Sequence, residues 1–175
     1  MNILFILFVD DANGQPCEAD WEDRVNEGLD CLLFDSSHSN HDKSITFCSG
    51  KGANLIGIES EIELTKLSDI MNERRAEGRW WGGATKEGGQ WKWTESREPL
   101  GPWVWGNWGT LPGEKYPNSD GRCFAFSKTA GNRGKWKGED RKCDQQQTFT
   151  ICQKKYVSIN LKIRWSLVIT ISISI

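Results

Sequence analysis

Six cysteines at positions 17, 31, 48, 123, 143 and 152 constrain this 175-residue chain more than any other feature. They are even in number, and turn-forming residues surround them, as in a framework of three disulfides formed in an oxidising compartment. Six cysteines allow 15 pairings, and spacing alone does not choose among them. The rival use of clustered cysteines is zinc, but no Cys-x-x-Cys pair occurs.

The length suits one domain. Hydrophobic residues at 37% and charged residues at 26% fit a globular chain and exclude a multi-span membrane protein or a disordered one. Net charge is −2, but it divides unevenly. Residues 1–65 carry 13 acids against 3 bases (−10), and residues 66–175 carry 11 acids against 19 bases (+8). Any basic surface therefore lies in the second half; the alternative is that the two halves pack together and neutralise each other.

Both ends are apolar. Residues 3–9, ILFILFV, are too few to span a bilayer and resemble the core of a signal peptide, with Ala12 and Gly14 as small residues for cleavage; residues 1–14 are read as that signal. No base precedes the run, and the alternative is a core strand. Residues 156–175 end in WSLVITISISI, again too short to span. They are read as an appendage outside the folded unit, with a strand, an anchor signal or a gene-model artefact as alternatives.

Between the ends, Cys31–Phe34 reads as a strand and Asn40–Cys48 as a short helix that stops at Gly50. Ser60 with Glu63 forms a capping box ahead of Leu64, Leu67, Ile70 and Met71, which fall on one helical face; Gly78 is the expected stop. From Arg79 onward, short aromatic runs at Trp80–Trp81, Trp91–Trp93, Cys123–Phe126 and Phe149–Cys152 predict strands. The stretch from Trp93 to Cys123, with Pro99, Pro102, Pro112 and Pro117, is long enough to suggest a functional loop.

Taken in order, these residues resemble the C-type lectin-like domain. The resemblance is carried by Cys17 with Trp21, Cys31–Phe34, Cys48 followed by GANLIGIES, Trp80-Trp-Gly-Gly83, Trp91-Lys-Trp93, Pro117-Asn118, Cys123, Trp136, Cys143 and Phe149–Cys152, over residues 17–154. It implies an α+β fold with two helices packed on small antiparallel sheets and a long irregular loop region. It also implies the disulfides Cys17–Cys31, Cys48–Cys152 and Cys123–Cys143. The first would fasten the N-terminal hairpin of the long form, the second would join the first helix to the last strand, and the third would pin the base of the loop region. Two family helix positions, usually Trp and Ala, are His41 and Ser44 here. His38 and His41 are read as surface or helix-packing residues.

Sugar-binding members hold one Ca2+ with loop and strand oxygens, and the ion also holds two sugar hydroxyls. The matching residues are Asn118, Asp120, Glu139 and Asp140 as metal ligands. Tyr116 replaces an acidic or amide ligand, and Trp136-Lys-Gly138 breaks the strand triplet, so a two-residue bulge is needed to bring Glu139 and Asp140 to the ion. Such a partial shell implies weak affinity, roughly 10⁻⁴–10⁻³ M. The sugar is expected on Tyr116, Asn118, Trp108, Lys135 and Lys137, and the resemblance implies a cis peptide at Tyr116–Pro117. Trp21, Trp80, Trp93 and Trp136 match core positions, whereas Trp81, Trp103, Trp105 and Trp108 fall in or beside the loops as stacking surfaces or a small loop core.

The chain is thus expected to be a secreted, extracellular protein that binds a glycan or glycoprotein, microbial or host. An acidic glycan is favoured because Lys135, Lys137, Arg141 and Lys142 crowd one strand and loop. The alternative is a calcium-independent module for a protein or another ligand. No catalytic motif, nucleotide loop or N-glycosylation sequon occurs, and no nucleic acid is expected as a partner.

Overall fold

The computed structural model of the chain describes residues 17–102, 104, 120–128, 136–146 and 148–156. The expected signal segment, nearly all of the appendage and most of the long loop, including Trp103, Trp105, Trp108, Tyr116–Pro117, Asn118 and Lys135, lie outside the described residues.

Among the described residues, strands and two main helices follow one another as β1 (Glu22–Arg24), β2 (Asp30–Ser39), α1 (His41–Gly50), β3 (Asn54–Leu55), α2 (Glu61–Glu73), β4 (Arg79–Glu87), β5 (Gln90–Trp93), β6 (Cys123–Ser127), β7 (Lys137–Arg141) and β8 (Thr148–Lys154). The sheet runs β1-β2-β8-β4-β6-β7, with β3 beside β8 and β5 beside β4. The fold is α+β as expected, with one refinement. The antiparallel pairs are joined into one sheet by a parallel pairing of β4 with β8, at Trp80↔Phe149 and Trp81↔Thr150.

Strand alternation divides the core in two. One face of the sheet carries Leu32, Trp80, Phe126 and Ile151, packed with Leu64, Leu67, Ile70 and Met71 of α2. The other carries Cys31, Trp81, Ala125 and Cys152 with Cys48 of α1. Trp21, Trp80, Trp93 and Trp136 are buried, as the resemblance implies. Trp81 is wholly buried in β4, so it is no loop residue; its indole N–H donates to the Ser39 carbonyl at 3.1 Å.

The capping box forms. The Glu63 amide donates to Ser60 Oγ at 3.2 Å, while the Glu63 carboxylate accepts from the Glu59 amide at 2.8 Å. The helix stops at Glu73, short of Gly78. Arg75 takes the left-handed conformation, with φ 52°, and its amide donates to the Asn72 carbonyl while that of Ala76 donates to Met71. That is the double bond of a Schellman cap, made here without glycine.

The disulfides are Cys17–Cys31, Cys48–Cys152 and Cys123–Cys143. Cys48–Cys152 encloses a sequence separation of 104 residues and ties α1 to β8. Replacing both cysteines by alanine should lower unfolding free energy by about 4 kcal/mol through the loop-closure term, read as a shift in the urea midpoint.

His41 and Ser44 are both buried on α1. Ser44 Oγ lies 2.7 Å from Thr150 Oγ1 and also contacts Ser39 Oγ, so a hydroxyl network occupies the space of an apolar helix position. His41 packs edge-on to Trp81, with Nε2 3.3 Å from the Gly82 carbonyl. Burial pushes the imidazole below its ordinary value of 6.5, partly opposed by the Gly82 carbonyl. The unfolded chain therefore takes up this proton first as pH falls. Stability should be full above pH 6.5 and decline below it. The thermal midpoint is expected to drop between pH 7 and pH 5, with a shallower drop in His41→Gln.

Candidate functional site

The β6–β7 hairpin carries the acidic residues that the resemblance assigns to a metal. Its ladder runs without a register shift from Cys123↔Arg141 through Phe124↔Asp140, Ala125↔Glu139 and Phe126↔Gly138 to Ser127↔Lys137. No bulge lies in that span, so the rearrangement needed to bring Glu139 and Asp140 to one ion is absent. Consecutive strand residues point to opposite faces. Asp140 shares its face with Phe124, Phe126 and Gly138, and Glu139 shares the other with Ala125, Lys137 and Arg141.

Each side of the hairpin is closely packed. A Cβ on Gly138 would come within 2.5 Å of the Phe124 ring, so glycine is required where the strand passes that ring. A Cβ on Gly121 would meet Asp140 Oδ2 at 2.1 Å, so the turn holding the exposed Asp120 lies directly against the buried Asp140. The Asp140 side chain therefore lies beside the turn that follows Asp120, while Glu139 projects from the opposite face of β7. Asn118 lies outside the described residues.

Glu139 is 1% exposed, yet its charge is fully engaged. Oε1 accepts from Arg79 Nε at 2.7 Å and from Arg141 Nε at 2.8 Å, and Oε2 accepts from Arg141 Nη2 at 3.0 Å. The Arg141 contact is the two-pronged kind that matches guanidinium to carboxylate, and Arg79 adds a second cation from β4. A buried carboxylate costs several kcal/mol unless paired in this way. Calcium at the same oxygens would have to share them with two guanidiniums, so Glu139 does not fit as a metal ligand. Among the described residues, no group of three or more His, Cys, Asp or Glu side chains is placed to hold a metal ion.

The Glu139–Arg141 half of this arrangement has a readable signal, since residues two apart on a strand share a face. Arg79 lies 60 positions away in sequence, and nothing local announces it. Of the residues assigned to the sugar, only Lys137 is described; it is half-buried on the Glu139 face.

An α+β fold stapled by three disulfides, with two helices on opposite faces of one sheet and a cysteine-pinned hairpin at its end, is the architecture of the C-type lectin-like domains. Residues 37–154 match the family model for the lectin C-type domain, and the chain belongs to that family. It is 31% identical over 148 residues to the mouse CD209 antigen-like protein D, a match that covers 83% of this chain. The chain spans 55% of the length of that relative. Among solved structures, it superposes on SPL-1 in complex with GlcNAc with a TM-score of 0.63 at 21% identity, covering 79% of this chain and 94% of SPL-1. It superposes equally well on the Ca2+-independent C-type lectin SPL-2 from Saxidomus purpuratus, with a TM-score of 0.63 at 23% identity, covering 79% and 93%. At these identities the two structures show the fold.

Replacing Glu139 by alanine strands two guanidiniums around a buried gap. Loss of a buried ion pair through one partner costs about 3–5 kcal/mol. Glu139→Ala should therefore lower the urea midpoint far more than Asp120→Ala, and added calcium should not restore it.

Proposed function

We propose that the chain is an extracellular lectin domain that binds a glycan through its long loop region and the β6–β7 hairpin, without using calcium. The observation that carries the calcium-free reading is the Glu139 carboxylate, held between Arg79 and Arg141 on the face opposite Asp140. A coordination shell built on this hairpin would lack that ligand, and Tyr116 stands where a further oxygen ligand is needed.

The family supports a binding role. SPL-1 is seen with GlcNAc, and SPL-2 is a calcium-independent member, so neither a sugar ligand nor the absence of calcium is foreign to the fold. Three disulfides support an oxidising, extracellular setting. Tyr116, Asn118, Trp108, Lys135 and Lys137 are the proposed sugar contacts. Among them, aromatic surface would stack on the apolar face of a pyranose while amide and ammonium groups bond its hydroxyls. Because the second half of the chain is basic, acidic glycans and glycoproteins are the favoured partners.

A glycan array probed in millimolar CaCl2 and again in EDTA tests this reading. The same glycans should bind with equal signal in both. Signals lost under EDTA would contradict the calcium-free mechanism. Silence on every glycan under both conditions would overturn the lectin reading in favour of a protein-binding module.

A further inference from the structure

The face of the sheet that carries Glu139 ends in a row that crosses three strands. Arg79 of β4 is registered opposite Ser127 of β6, and Ser127 opposite Lys137 of β7. Directly opposed residues of antiparallel strands project from the same face. With strands about 4.8 Å apart, the stems of Arg79 and Lys137 leave the sheet roughly 10 Å from each other, with the serine hydroxyl between them. β7 ends the strand order, so the Lys137 end of the row lies at the sheet's edge.

Four properties of this row point to an anion. Glu139 is shared by Arg79 and Arg141, and Lys137 stands on the same face beside them, so cations outnumber the one carboxylate they are seen to pair with. Arg79 gives only its Nε to Glu139, so its two terminal nitrogens remain directed elsewhere, and its side chain is 41% exposed. Lys137 forms no ion pair among the described residues. Finally, Ser127 is 3% exposed, and among the described residues its Oγ has no hydrogen-bond partner. A buried hydroxyl in that condition costs about 1–3 kcal/mol and calls for a partner.

A hydroxyl donor between two cationic groups suits an acceptor-only oxygen group with negative charge. Guanidinium presents a fork to two of its oxygens, ammonium a point charge to a third, and the hydroxyl a short neutral bond. We infer that the Arg79–Ser127–Lys137 row binds the sulfate group of an acidic glycan. The site needs only the anion; that a glycan carries it rests on the reading given under Proposed function.

The test uses the full chain and two probes, sodium sulfate and a sulfated oligosaccharide paired with its desulfated form. Sulfate should shift the amide resonances of residues 79, 127 and 137 in a saturable way at low ionic strength. The sulfated sugar should bind about tenfold more tightly than the desulfated one, an advantage that shrinks at 0.3 M salt. Lys137→Gln should reduce sulfate affinity about tenfold. Ser127→Ala should reduce it several-fold while leaving the thermal midpoint equal or higher, because the unpartnered hydroxyl is gone. A purely structural serine would not separate the two readouts in this direction. Sulfate shifts confined to other residues, or unchanged sulfate affinity in both variants, would overturn the anion site. Saturable sulfate binding at the row together with no preference for the sulfated sugar would overturn the glycan as carrier. Failure of both sugars to bind while sulfate binds would leave the anion site standing and count against the lectin reading instead.

Discussion

The bond between Cys48 and Cys152 is the constraint on which the rest of the molecule depends. It fixes α1 against β8, and β8 is the strand through which the sheet holds together. β8 pairs with β2 and β3 in antiparallel fashion and with β4 in parallel. Parallel pairing needs a long crossover, here the whole stretch from β4 to β8, which a short chain closes at considerable entropic cost. The disulfide removes much of that cost from the unfolded state. Once β4 lies beside β8, Trp80 and Trp81 face opposite layers of the core, one toward α2 and the other toward α1.

The same frame places the β6–β7 hairpin at the end of the sheet, anchored by Cys123–Cys143 and by pairing with β4. Arg79 opens β4 and so arrives beside a hairpin that is remote in sequence. Its meeting with Glu139 is a product of sheet order and not of local preference. The outcome is electrostatic. A carboxylate in the position that could have served a cation is spent inside the protein, and the surplus charge left at the edge is positive. Under the proposal made above, the ligand at this edge is an anion.

Much of the fold is legible in the residues themselves. Ser60 and Glu63 announce α2, and Leu64, Leu67, Ile70 and Met71 announce its buried face, because both signals lie within four residues of each other and follow helical spacing. The helix end is less legible. Gly78 is the obvious stop, but Arg75 accepts the left-handed conformation and ends the helix earlier. Trp81 sits next to a glycine pair and reads as loop-adjacent, yet the alternation of β4 buries it whole. His41 and Ser44 look like departures that weaken packing; Thr150 and Ser39 answer Ser44, and the Gly82 carbonyl answers His41, from elements distant in sequence. The acidic pair was the least legible feature. Its spacing to Cys143 is right for a metal strand, but spacing does not reveal whether a bulge forms, nor which guanidinium will arrive from another strand.

The central claim is that this lectin domain has exchanged its metal ligand for an internal ion pair, and unfolding in the presence and absence of calcium tests it most directly. A ligand that binds only the folded state at a Kd of about 10⁻³ M would add about 1.4 kcal/mol at 10 mM, raising the thermal midpoint by roughly 3 °C. The account predicts the same midpoint in 10 mM CaCl2, in 10 mM MgCl2 and in EDTA at matched ionic strength. A rise specific to calcium, abolished by Asp140→Asn, would contradict it.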